Sequence, residues 1–232
     1  MSGTLPPRER VASFAVLGLA AFTTTRAAGS YGFADDAPVQ QVNDRWFELM
    51  RATGGRLASA HQVHGAKVVT HQSGWDGWLR TDSADGHATA HHDTAMVVTV
   101  ADCVPVFIGH PRGASALLHA GWRGVTGGIL GAGIHALQAM GHQPKDLVLH
   151  LGPAICGACY VVGPDVYARL MRHSVDAPAP VDLRALLADQ ARIAGVKDID
   201  ISPCCTKCNN DRFFSHRAGD TARQVAVIAP SA

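Results

Sequence analysis

With 232 residues and a formal charge of +1, from 20 basic against 19 acidic side chains, the chain offers no electrostatic footprint for nucleic acid or for an anionic membrane, which leaves small-molecule chemistry as the starting point. A hydrophobic share of 47% and 24 glycines describe a compact, turn-rich chain and exclude a disordered one. The length suits one generous core, so a single domain over residues 1–232 is expected, with residues 1–10 as a flexible tail.

Arg8 and Arg10 precede an apolar run, Val11 to Phe22, that has the proportions of a secretory h-region and is too short to span a bilayer. Glu9 between the arginines, and the β-prone continuation Thr23-Thr24-Thr25-Arg26 with no small-x-small cleavage site, favour a first core strand and a cytoplasmic protein; export is the alternative. A loop with glycine, Asp35-Asp36 and Pro38 leads into a helix from Val39 to Thr53, with Val42, Trp46, Leu49 and Met50 on one face and Gly54-Gly55 as its stop. A short element, the turn His61 to Gly65, a strand over Ala66 to His71 and a turn at Gly74 to Gly77 follow. Asp82 to His92 is polar and reads as an exposed loop.

Three strands fit the next stretch: Ala95 to Val100, Val104 to Ile108 and Ala114 to Leu118. Pro105, having no amide proton, must lie at a strand start or edge. Val125 to Met140 reads as one glycine-rich helix stopped at Gly141. Beyond it come a buried strand at Leu147 to Leu151, a short helix from Asp165 to Arg172, a linker at Ala177 to Pro180, and a helix capped by Asp182 that runs to Gly195 with Leu183, Leu186, Leu187 and Ile193 on its apolar side. Strands at Asp198 to Ser202 and Gln224 to Ile228 flank a last loop rich in cysteine and arginine.

Cys103 and His119 fall at the ends of neighbouring strands, and a thiolate with an imidazole is the start of a zinc site. His61 or His64, in a glycine-flanked turn, is the natural third ligand. A Cys-His-His set with one open position is the form of a catalytic zinc rather than a structural one. The same residues support a covalent reading, with Cys103 as nucleophile, His119 as base and Asp85 or Asp102 as orienting acid. A thiolate held by metal is not free to attack, so the two readings exclude each other at any one moment.

Cys156-x-x-Cys159 and Cys205-x-x-Cys208 together have the ligands of a four-thiolate zinc site, but the gap of about 45 residues exceeds the ~15 to 20 of ribbon-type sites. The pairs therefore read as buried thiols or one redox-labile pair. Arg26, Arg123, Arg217 and Arg223 each lie beside a strand or helix end, where a guanidinium fork suits phosphate. Arg123 is the foremost of these, since it opens the glycine-rich helix whose first amides also favour an anion. No phosphate-loop or dinucleotide fingerprint is present.

QVHG at Gln62 to Gly65, VTVADCVPVFI at Val98 to Ile108, LHAGWRG at Leu118 to Gly124, LGPAICGACYVVG at Leu151 to Gly163 and CTKCNNDRFFSHR at Cys205 to Arg217 resemble the YfiH family of laccase-domain proteins. Its members have been described as multicopper polyphenol oxidases or laccases, peptidoglycan editing factors and purine nucleoside phosphorylases. The resemblance implies an α+β (mixed α/β) fold of mixed sheets flanked by helices, with one deep pocket. It implies His64, Cys103 and His119 as zinc ligands, copper being the lesser alternative. It further implies phosphorolysis of adenosine, inosine, guanosine or methylthioadenosine and deamination of adenosine, by a monomer or weak homodimer whose partners are a purine nucleoside and phosphate. The H-x-E signature of zinc deaminases is absent, which leaves Asp85 or Asp102 as proton shuttle, while Arg26, Arg123 and Arg217 are the phosphate candidates. Alternatives are an amide hydrolase that edits peptidoglycan precursors, a laccase-like polyphenol oxidase and a non-catalytic metal or nucleoside binding module. The chain departs from the family pattern in a shortened loop after Arg26, in His216 where a tyrosine is usual, and in the extra thiol of Cys204-Cys205.

Overall fold

The computed structural model describes residues 4–34 and 37–231. Asp35 and Asp36, and the first three residues of the expected tail, lie outside the described residues. The first strands are β1 (Arg8–Arg10), β2 (Leu19–Thr24), β3 (Arg56–Ala60), β4 (Val68–His71), β5 (Gly77–Thr81), β6 (Gly86–Thr89) and β7 (Ala95–Val100). They continue as β8 (Val104–Gly109), β9 (Ser115–Ala120), β10 (Val148–Leu151), β11 (Val161–Val162), β12 (Ala179–Pro180), β13 (Asp198–Ile201) and β14 (Gln224–Pro230). The helices are α1 (Val39–Ala52), α2 (Trp122–Gly127), α3 (Ile129–Ala139), α4 (Pro164–Met171) and α5 (Leu183–Ile193).

Two mixed six-stranded sheets organise the chain, in the orders β1-β2-β14-β7-β3-β5 and β13-β10-β8-β9-β6-β4. Strand residues alternate between faces, and the cores follow that alternation. Met96, Val98 and Val100 of β7 meet Phe107 and Leu117 of the second sheet, with Phe14 and Leu17 closing one end. Val97, one residue out of phase, joins Phe22, Val225 and Val227 under Val42, Trp46 and Leu49 of α1. On the far side, Val106, Ile108 and Leu118 pack against Ile129, Ile134 and Leu137 of α3 and Leu187 of α5. The layers run helix, sheet, sheet, helices. Each such large apolar side chain contributes about 1.5–3 kcal/mol on burial. Among the described residues no helix is long and apolar enough to cross a membrane.

Several sequence expectations are corrected. Residues 8–10 are not tail: β1 pairs antiparallel with β2, Arg8 opposite Thr24, and the Arg8 guanidinium lies over the Phe22 ring. Val11 to Phe22 is not one strand but a 3-10 helix, Ala12–Leu17, turned by Gly18 at φ 70 into β2. The polar stretch Asp82 to His92 is not an exposed loop, since it contains β6, buried throughout. Small residues make this possible: a Cβ on Gly86 would lie 2.7 Å from Leu118 Cδ2. The one large polar residue of β6, His87, shares a 2.9 Å hydrogen bond with His71.

The expected helix from Val125 to Met140 is two helices, broken at Gly128 with φ 83, a left-handed residue that ends α2 and begins α3. The linker includes β12, paired with β11. Ile193, read as apolar-face, is 88% exposed. The helix Val39–Ala52, the Asp182 cap, which accepts from the amides of Arg184 and Ala185, and the position of Pro105 near the start of β8 agree with the sequence reading.

Candidate active site

Three connections carry the chain from the first sheet to the second, and each delivers one part of the site. His64 lies between β3 and β4, Asp85 between β5 and β6, and Cys103 between β7 and β8. His119 meets them from the penultimate position of β9, opposite Pro105 in register. His64 and Asp102 both take left-handed backbone conformations, φ 58 and φ 82. Side chains other than glycine rarely adopt these, so each turn must be held by its surroundings.

Asp85 does much of that holding. Its Oδ1 accepts from the His64 amide at 2.9 Å and from His119 Nδ1 at 2.8 Å. Its Oδ2 accepts from the amides of Gly65 at 2.7 Å and Val63 at 3.2 Å. Burial opposes its charge, but His119 and these amides outweigh it, so its carboxyl is held below the usual carboxylate range. Burial likewise opposes ionisation of Cys103, yet His119 and His64 bring the thiol down to about 6. Burial disfavours a charge on His119, whereas Cys103 and Asp85 raise it to about 9. Each thus favours the other's charged form, thiolate beside imidazolium.

The donor atoms of His64, Cys103 and His119 all lie within 4.8 Å of one another. His119 uses Nδ1 on Asp85 and so keeps Nε2 for an ion, the carboxylate–histidine arrangement that orients zinc ligands. Gly121 leaves the space: a Cβ there would come 2.9 Å from Cys103 Sγ and 3.1 Å from His64 Cδ2. One soft thiolate and two imidazoles suit zinc, so the residues fit such an ion.

Two cavities meet at His64 and Cys103, and His119 faces the larger of them. The larger, about 600 Å³, is walled by Tyr31, Phe33 and Trp46 and reaches Gln62, Arg80 and Arg223. The smaller, about 280 Å³, is bounded by Trp122, Arg123, Tyr160 and Arg217. His64, Cys103 and His216 line both.

The family model described as multi-copper polyphenol oxidoreductase laccase matches residues 24–231. The chain belongs to this family. It is 33% identical to purine nucleoside phosphorylase ORF3 of Streptomyces griseus over 203 residues, covering 84% of this chain and 82% of that relative. It is 34% identical to purine nucleoside phosphorylase YlmD of Geobacillus stearothermophilus over 196 residues, covering 75% and 72%. The crystal structure of YlmD from Geobacillus stearothermophilus superposes with a TM-score of 0.89 at 26% identity, over 100% of this chain and 99% of that one. The Bacillus licheniformis hypothetical protein YfiH, at 21% identity over 97% of each chain and a TM-score of 0.87, shows the same fold. The mixed α/β fold of the family is thus the fold of this chain.

Other sequence candidates in this family member separate by position. His61 lines the larger cavity but is not within the three-residue cluster. Asp85 contacts His119, whereas Asp102 does not orient it: Asp102 accepts from Thr206 Oγ1 at 2.6 Å and from the Arg217 amide at 2.7 Å. Arg123 and Arg217 border the smaller cavity. Arg123 stands over the Trp122 ring, and its helix has six residues rather than the long run expected. Arg26 lines neither cavity; it donates to Asn210 O, Phe213 O and Asp220 and lies over Phe214. Arg223 spends one guanidinium nitrogen on the carbonyls of Asp220, Thr221 and Ala222.

Sequence reasoning missed the aromatic wall of Tyr31, Phe33 and Trp46, and Tyr160, because no motif marks residues that meet only through folding. The long gap between the two CxxC pairs does not keep them apart: the four sulfur atoms of Cys156, Cys159, Cys205 and Cys208 lie within 4.8 Å of one another, with no disulfide among them, Cys205 buried and Cys208 exposed.

Proposed function

We propose that the protein is a zinc-dependent purine nucleoside phosphorylase, acting also as an adenosine deaminase, with His64, Cys103 and His119 as the metal ligands. The observation that carries this reading is the meeting of an aromatic cavity and an arginine-bordered cavity at His64 and Cys103, two of the three clustered donors. Phe33, 45% exposed and backed by the buried rings of Tyr31 and Trp46, offers flat apolar surface to a purine. Arg123 and Arg217 offer guanidinium groups to phosphate. The ribose then spans the junction.

In phosphorolysis a phosphate oxygen bonds to the anomeric carbon as the bond from that carbon to the purine nitrogen breaks, and the departing nitrogen takes the electron pair and a proton. Asp85 and Asp102 have both oxygens committed to protein donors. His216, exposed and lining both cavities, is the side chain we assign to that proton. A bound zinc supplies Lewis acidity toward a substrate oxygen. Asp85 keeps His119 ionisable only at Nε2 and holds the His64 turn in place. Relatives at 33–34% identity carry the name purine nucleoside phosphorylase, which supports the same reading.

A copper oxidase reading draws on the family description and on the donor set, since two histidines and a cysteine also serve blue-copper centres. Those centres add a long axial methionine or glutamine. Among the described residues no methionine lines either cavity, and Gln62 is spent on Thr99, accepting from its amide at 2.7 Å and donating to its carbonyl at 2.9 Å. The zinc reading is the better supported.

The test is incubation of metal-loaded protein with adenosine, inosine, guanosine or methylthioadenosine plus phosphate. Free purine with ribose 1-phosphate is the expected product, and inosine from adenosine reports deamination. A serine-bearing muropeptide precursor and a polyphenol serve as parallel substrates. Turnover of either of those, with none of the nucleosides, overturns the reading, as does binding without turnover of any.

A further inference from the structure

We propose that Cys156, Cys159, Cys205 and Cys208 hold a second metal ion, a structural tetrathiolate zinc, which clasps the loop after β10 to the loop before β14 and so fixes one wall of the smaller cavity. The clasp shares no ligand with His64, Cys103 and His119 and does not depend on the nucleoside reading.

The backbone brings the two CxxC turns together. Ala154 and Cys205 form a parallel bridge, with the Ala154 amide donating to Cys204 O at 3.4 Å and the Thr206 amide to Ala154 O at 3.2 Å. Residues 157–159 make a 3-10 turn that carries Cys159 back toward Cys156, its amide donating to Cys156 O at 3.0 Å. The amide of Asn209 donates to Cys205 O at 2.9 Å, which curls the second pair likewise. The long sequence gap is therefore no obstacle. It contains α4, α5 and β13, and β13 runs parallel to β10, so both loops leave the same end of the second sheet.

The sulfur arrangement suits an ion better than it suits thiols alone. All four lie within 4.8 Å, and Cys159 Sγ stands 3.5 Å from Cys208 Sγ. A disulfide requires about 2.05 Å. The edge of a tetrahedron with zinc–sulfur bonds of about 2.3 Å is roughly 3.8 Å. Two backbone amides also point at sulfur: Cys156 N donates to Cys205 Sγ at 3.3 Å and Cys208 N to the same sulfur at 3.4 Å. Such donors stabilise thiolate rather than thiol. A four-sulfur tetrahedral set selects zinc or iron, and an ion without redox change fits a purely structural position. On binding, each protonated thiol releases its proton to solvent and each sulfur donates an electron pair to the ion, so no oxidant enters.

What the clasp secures is visible in its neighbours. The Ile155 amide donates to Asp102 O at 3.1 Å, and Thr206 Oγ1 donates to the Asp102 carboxylate, so both clasped loops grip the residue before Cys103. Tyr160 follows Cys159 directly, lies under the Arg217 guanidinium, and Arg217 donates to Val161 O at 2.8 Å. Tyr160 and Arg217 are both part of the smaller cavity.

The experiment is metal analysis of the full chain purified under reducing conditions, beside Cys103→Ala and the double variant Cys159→Ser/Cys208→Ser. Two zinc ions are expected for the wild type and one for each variant. Cobalt loading of Cys103→Ala, which leaves all four clasp thiols in place, should give the intense sulfur-to-cobalt charge-transfer absorption of a tetrathiolate. Chelation should lower its Tm by ~5 °C or more. This arm holds even if the double variant fails to fold. One zinc in the wild type with none in Cys103→Ala overturns the proposal. So does a Cys159–Cys208 disulfide, found by mass spectrometry under reductant, in protein with no second ion.

Discussion

Asp85 Oδ1 and His119 Nδ1 lie 2.8 Å apart with 0% and 4% of their side chains exposed, and the same carboxylate gathers the amides of Val63, His64 and Gly65. One buried charge thus orients one candidate ligand through its ring and another through its backbone. Asp85→Asn should lower zinc affinity at His64, Cys103 and His119 by ~10- to 100-fold, the usual cost of losing such a partner, because the new NH2 faces amide donors. Competition with a chelator measures this; an unchanged affinity removes Asp85 from its positioning role.

Burial should make Cys103 a poor acid, but His119 and His64 bring its thiol down to about 6. In metal-free protein its alkylation rate should therefore rise with a midpoint near pH 6, well below the ordinary thiol value of ~8.5. His119→Ala should move that midpoint upward, and zinc should protect the thiol. Peptide mass spectrometry separates Cys103 from the other five cysteines, and a midpoint in the ordinary thiol range refutes the pairing.

Arg123 and Arg217 differ from Arg26 in what surrounds them. Loss of a charge-assisted hydrogen bond to phosphate is worth about 1.5–3 kcal/mol, so Arg123→Ala and Arg217→Ala should each raise the KM for phosphate by roughly 10- to 150-fold. Arg26→Ala should leave that KM unchanged and instead lower stability by about 1–3 kcal/mol, since its guanidinium binds Asn210 O, Phe213 O and Asp220. Steady-state kinetics with phosphate varied, beside denaturant melts, distinguish the two; an unchanged KM in both cavity variants ends the phosphate assignment.

His87 is wholly buried beside His71, and burial, followed by repulsion from His71, lowers its pKa to about 3. The unfolded chain takes up a proton below about pH 6.5 while the folded chain does not. Stability contributed by neutral His87 is therefore lost as pH falls from about 6.5 toward 3, at about 1.4 kcal/mol per pH unit. His71, lowered by its own burial, acts in the same direction. His87→Gln retains a hydrogen-bonding group for His71 and removes the titration, so its denaturation midpoint should fall less between pH 6.5 and 5 than that of the wild type. Parallel acid limbs in the two proteins count against this account.

Local pattern alone determined the amphipathic helix Val39–Ala52, the Asp182 cap, the apolar strands around Cys103 and the pairing of Cys103 with His119 as candidate ligands, because periodicity, capping chemistry and strand ends are short-range properties. The motifs also carried His64 and the family. What folding decided is of longer range. Asp85 lies in a stretch polar enough to read as a loop, and is buried only because His119 and three amides satisfy it. Gly128 breaks a helix that hydrophobic spacing joins, since φ 83 leaves no trace in that spacing. Arg26 and Arg217 look alike along the chain, and packing sends one into a loop's carbonyls and the other to a cavity wall. The four clasp cysteines, their pairs separated by two helices and three strands, become neighbours because β10 and β13 run parallel, a relationship that exists only between strands and in neither sequence segment.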